Sequence, residues 1–244
     1  MRMTFTIQML AALWLANPAP PPLQAAVYAP AASQSAQVPK EDDRFDRVAD
    51  LISGQKPAEA IALLDLIIAD QEKAHRGETR QVYCSRSLVE TMLYSGMGAK
   101  AAKGAVVLGP DWSMAIFLKG FSLIDLNRSD EAKPLFEKAI AMSPMNAQFL
   151  GELGEWYKNR RDWSKAYDLF QRARAAAEYS PADMKDHDLR RGMRGMGFIL
   201  IEQGKLDEAE ALFRKCLEID PNDAGAKQEL QYIAEQRAKR PRTS

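Results

Sequence analysis

The chain has little of what most site chemistry requires. Of its 244 residues only two are cysteine, Cys84 and Cys216, and only two are histidine, His75 and His187. No Cys-x-x-Cys, His-x-x-x-His or acidic calcium loop occurs, so there is no metal-ligand spacing and no disulfide framework to read. An excess of one charge is also missing: 33 Lys and Arg balance 33 Asp and Glu. That balance argues against a general nucleic-acid binder, which carries a clear basic surplus. Aromatics are scarce at 8% while Met and Ala are plentiful, which suits packed helices better than a β-sandwich. The one long apolar run, residues 5–16, would rise only about 18 Å as a helix, short of a roughly 30 Å hydrocarbon core. A transmembrane anchor is therefore not expected.

What is present begins with an N-terminal segment unlike the rest. Arg2, the apolar run and the small-residue site Leu23-Gln24-Ala25 read as a secretory signal peptide over residues 1–25. The expected location is periplasmic or secreted; the alternative is a cytoplasmic protein with an unstructured tail. Six of the thirteen prolines fall between Asn17 and Pro39, so residues 26–40 read as an extended Pro/Ala-rich linker. Residues 241–244 form a short basic tail.

Beyond Lys40 a repeat governs the sequence. The pair Gly120…Ala132 recurs as Gly154…Ala166 and as Gly197…Ala209. Phe136, Phe170 and Phe213 follow each Ala by four residues, with Ala139, Ala173 and Cys216 three further on. Pro144 and Pro221 close the first and third copies. The first two copies are offset by 34 residues and the next by 43, which places an insertion near residues 178–189. In physical terms the pattern is a helix pair with Gly facing Ala where the backbones approach, and Phe filling the wider end of the seam. Asp or Ser in the turns at 126–130 and 203–207 is placed to cap the following helix. Pro134, just past the first turn of its helix, predicts a late start or a slight bend.

This combination of types, order and spacing resembles the tetratricopeptide repeat family. The resemblance implies an all-α, right-handed helix-pair solenoid. Strong repeats cover residues 113–240 and degenerate pairs residues 41–112, giving about five pairs plus a C-terminal capping helix. In the weak region Arg44–Ile52 and Pro57–Ala74 read as one pair. Pro110 lies 34 residues before Pro144, so residues 81–95 and 98–108 read as another. Residues 223–239 read as the cap that a solenoid needs.

The resemblance also implies a concave groove lined by the first helices. Its places fall on Arg80, Tyr83 and Ser87, then Met114, Phe117 and Phe121. They continue on Gln148, Gly151 and Glu155, and end on Arg191, Arg194 and Phe198. Phe117, Phe121 and Phe198 suggest an apolar stripe flanked by Arg, suited to an extended or helical peptide; equally, these rings could pack against the linker or a neighbouring repeat. The carboxylate clamp of chaperone-binding members needs Lys and two Asn where this chain has Phe117, Phe121 and Glu155, so that specificity is not expected.

Catalytic readings fare worse. Asp183, Asp186, His187 and Asp188 cluster in the insertion but read as a solvated helix face. Cys216 occupies a small seam position, and Cys84 reads as the more accessible thiol. GlyMetArgGlyMetGly (192–197) imitates a phosphate loop, yet no strand precedes it. Trp112, Trp156 and Trp163 read as packing residues. The expectation is a non-enzymatic scaffold without cofactor or metal. It would bind a protein segment in the bacterial envelope; the alternative is a self-associating structural protein.

Overall fold

The computed structural model describes residues 44–100 and 102–239; the segments read above as signal peptide, linker and basic tail lie outside them. Ten helices and two short strands follow one another along the described chain. They are α1 (Arg44–Ser53), α2 (Pro57–Ala74), β1 (Gln81–Cys84), α3 (Leu88–Gly98), β2 (Ala105–Leu108), α4 (Asp111–Asp125) and α5 (Ser129–Met142). After them come α6 (Ala147–Asn159), α7 (Trp163–Ala176), a 3-10 turn (Ala177–Tyr179), α8 (Ala182–Glu202), α9 (Leu206–Ile219) and α10 (Ala224–Lys239). Helices α1/α2, α4/α5, α6/α7 and α8/α9 pack as pairs, with α10 on α8 and α9. The helix-pair solenoid read from the repeat is thus the architecture, with four pairs and a cap among the described residues.

Each pair is closed by the same backbone device. Gln55, Asn127, Arg161 and Gly204 take positive φ (56°, 58°, 59° and 74°) after the first helix of their pairs. Each N–H returns to the carbonyl three residues back, and the next N–H to the carbonyl five back, as in Arg128 to Leu123 and Asp162 to Tyr157, both near 3 Å. This Schellman arrangement satisfies carbonyls that the helix end would otherwise leave unpaired. The caps expected in two of the turns are absent: neither α5 nor α9 has a side-chain cap, and their turns rely on the left-handed residue instead. Side chains do cap α6 through Asn146 and α7 through Asp162. Nor does Pro134 delay α5, which runs unbroken from Ser129.

In each seam the glycine lies against an aromatic ring. A Cβ added at Gly120 would sit 2.8 Å from the ring of Phe136, at Gly154 3.1 Å from Phe170, and at Gly197 2.6 Å from Phe213. The glycine therefore makes room chiefly for the edge of the phenylalanine four residues beyond the alanine, and all three rings are buried. The insertion lengthens α8 at its N-terminus. There Gly195 meets Phe170 and Gly192 meets the backbone of Arg174, so the glycine-rich stretch is packing surface inside a helix.

Residues 81–108 depart from expectation. They are a strand–helix–strand unit, with β1 and β2 parallel and registered from Gln81↔Ala105 to Cys84↔Leu108. The run AlaValValLeu, with two β-branched valines, is bounded by Gly104, at φ 74°, and Gly109, and it favours extended backbone over helix. Ser87 caps α3, its side chain accepting the Glu90 N–H. Meanwhile α4 packs on α2, which keeps the helical stack continuous beside the unit.

Buried polar bonds stitch this unit together and to the solenoid. Glu90 is fully buried and receives the Arg86 guanidinium at 2.6 and 3.0 Å and the Arg86 backbone N–H at 2.6 Å. The Tyr94 hydroxyl accepts the Met145 N–H at 3.1 Å, and the Ser143 hydroxyl donates to the Cys84 carbonyl at 2.7 Å. Cys84, expected on a helix and accessible, is a fully buried strand residue; burial pushes its thiol pKa up, and pushes that of buried Cys216 to about 11.

Candidate functional site

The first helices of successive pairs, α6 and α8, together with α10, line one concavity of about 480 Å³. Four of the groove residues expected from sequence converge there, Glu155 from α6 and Arg191, Arg194 and Phe198 from α8, and His187 of the insertion joins them. On α8 these lie at intervals of three and four residues, so one helical face carries them all.

The site's cations are held from behind. Arg191 covers Gly151, where a Cβ would lie 3.3 Å from the guanidinium carbon, and Arg191 pairs with Glu152 at 2.8 Å. Arg194 and Arg190 share one oxygen of Asp223, and Arg190 also reaches Asp220 at 3.0 Å. Burial works to raise the pKa of Asp223, but the Ala226 N–H and the two guanidinium groups outweigh it and hold the carboxyl below its usual range. Lys158 pairs with Glu155 and stands 4.8 Å from the centre of the half-buried Phe198 ring, in cation–π range. Opposite, Glu229 of α10 has its pKa raised, mainly by burial and further by Glu202, against the pull of Lys158. The result is an apolar ring among oriented charges of both signs. It can hold an apolar side chain while satisfying the polar groups beside it.

Sequence reasoning missed Lys158, Gln228 and Glu229, the last two because α10 read only as a cap. Gly225 was the available signal: a Cβ there would meet the Arg194 side chain at 3.3 Å, so α10 continues the row of first helices.

The other expected groove residues lie elsewhere. Phe117 is buried in the core, its ring 4.4 Å from that of Phe149 and 5.6 Å from that of Phe136, and offers nothing to a ligand. Arg80 precedes β1 and is held by Glu78, whose carboxyl it lowers to about 2. Tyr83 lies on β1, stacked on Tyr94 at 5.3 Å, and Ser87 is spent as the α3 cap. These three belong to the strand–helix–strand unit rather than to a first helix. Met114 packs partly buried against the main core; Phe121 and Gln148 are half-buried on α4 and α6, outside the residues lining the concavity.

Of the tryptophans, Trp112 stacks on His75, while Trp156 donates to the Ser129 carbonyl at 2.8 Å beneath the Arg160 guanidinium. In the insertion, Asp188 is buried and accepts the Ser180 hydroxyl at 2.7 Å while His187 stays exposed. Among the described residues no group of three or more His, Cys, Asp or Glu is placed to hold a metal, and no helix is long and apolar enough to cross a membrane.

Residues 146–222 match one tetratricopeptide repeat family model, and residues 115–146 match a second of the same description. Among solved structures, nearly identical TPR-like repeats from Podosopora anserina superpose with a TM-score of 0.55 at 14% identity, covering 81% of this chain and 86% of that one. MamA 41-end from Desulfovibrio magneticus RS-1 superposes with a TM-score of 0.51 at 12% identity, covering 80% and 83%. At such identities the likeness concerns the fold.

Proposed function

Because the chain belongs to the tetratricopeptide repeat family over residues 115–222, we propose that it is a non-enzymatic adaptor. In this reading it grips a segment of another protein in the concavity between α6, α8 and α10, and it works in a bacterial cell envelope. One observation carries the binding reading: Glu155, Arg191, Arg194 and Phe198, from two separate helices, converge with Lys158 and Glu229 on a single hollow. The ring supplies an apolar anchor, and the fixed cations and carboxylates orient a polypeptide without bond chemistry. The near-neutral charge supports a protein partner over nucleic acid. Arg2, the apolar run to Ala16 and the site ending at Ala25 support export, with a mature chain beginning near Ala26.

The test is affinity capture from envelope extract with wild type and Phe198→Ala side by side. Phe198 is half-buried at the rim, so its truncation should keep the helical signal and the melting temperature while retained partners fall at least about tenfold, the scale of a lost hot spot. Unchanged capture by a folded Phe198→Ala protein would contradict the site.

A further inference from the structure

We infer that the outer edge of β2 pairs with the same edge of a second copy of this chain, making a four-stranded sheet across a two-fold axis. The strand–helix–strand unit has one edge against the solenoid, where β1 lies on α4 and α5, and one edge that no described element covers. The Gly104 carbonyl accepts the Gln81 N–H and the Leu108 carbonyl the Ser85 N–H. In a parallel ladder this alternation turns Val106 towards β1, so Ala105 and Val107 aim their N–H and C=O groups outward. Among the described residues no backbone bond from another element reaches either of them.

A hollow borders β2 and α3. Its volume is about 550 Å³, and Ala105–Val107 of β2, the row Thr91, Ser95 and Ala99 of α3, and Arg80 before β1 line it. Small side chains four residues apart keep that flank of the helix low. On α3 the large apolar side chains of Leu88 (76%) and Met92 (69%) are exposed among the described residues.

A second copy fits on three counts. The edge is self-complementary: antiparallel pairing with Val106 opposite Val106 sets Ala105 against Val107 twice and closes every outward donor and acceptor. The edge strand is uncharged and lacks Pro or Lys, the devices that keep strand edges apart. Leu88 and Met92, left exposed on the helix that packs on β2, give a second copy apolar surface to cover.

The experiment is sedimentation of the full chain over a wide concentration range, with Val107→Pro and Ser95→Arg as variants. Proline at 107 removes an outward N–H and none of the bonds to β1, and arginine at 95 fills the flank of α3. Wild type should sediment at twice the mass of one chain, and both variants at half that value with unchanged helical signal. If Val107→Pro fails to fold, Ser95→Arg decides alone. A wild type of single-chain mass throughout, or a dimer that survives in both folded variants, overturns the inference.

Discussion

Two stretches of this chain share a 34-residue spacing and use it differently. From Asp111 to Ala176 the spacing builds helix pairs, joined after an insertion by a third at Ala182–Ile219, whose glycines admit phenylalanine rings and whose turns close through left-handed residues. The stretch that ends at Pro110, one interval before Pro144, is filled from Gln81 to Leu108 by strand, helix and strand. A period counts the residues in a layer; it does not say what they form. The two stretches also differ in cohesion. The pairs hold by the fit of apolar shapes, whereas the strand–helix–strand unit, which sets Cys84 into the same core, adds polar bonds out of water, from Arg86 to Glu90 within it and from Tyr94 and Cys84 to Met145 and Ser143.

That contrast can be broken by mutation. The largest effect is expected in the polar unit. Glu90→Ala removes the partner of a nearly buried guanidinium, and denaturant unfolding should register a loss of about 3–5 kcal/mol. A loss near zero would mean that the unit does not rest on this pair. Smaller, and opposite in sign between the regions, is the replacement of glycine by alanine. In α8, Gly195→Ala drives a methyl to 2.4 Å from Phe170 and should cost about 1–3 kcal/mol. In α3, Gly96 has nothing within 4 Å, so Gly96→Ala should stabilise by up to about 1 kcal/mol through helix propensity. Equal responses at the two sites would erase the distinction.

The regular repeats were legible because glycine, alanine and phenylalanine recur at fixed distances that only a helix seam explains, and α2 was legible to the residue. The unit at 81–108 was not, because Pro110 continued the period and drew a helical reading. ValValLeu between Gly104 and Gly109 was the local signal for a strand. The groove was half legible for a related reason. A residue three before the seam glycine faces the next first helix, so its fate depends on what that helix brings. Phe117 meets Phe149 and is buried, Gly151 meets Arg191, and Arg194 lies against Gly225 with its guanidinium on Asp223. Where the neighbour is small, the side chain stays in the hollow. Pairwise packing of this kind is not written in one repeat alone.

The claim that the end of the solenoid, and not its middle, receives the partner has a direct measurement. A photo-crosslinking side chain is placed at Phe198 in one protein and at Gln148, half-buried and outside the hollow, in another, and both are irradiated in envelope extract. The account predicts adducts to a defined polypeptide from position 198 and none above background from position 148. Adducts from 148 alone, or equal labelling from both, would contradict it.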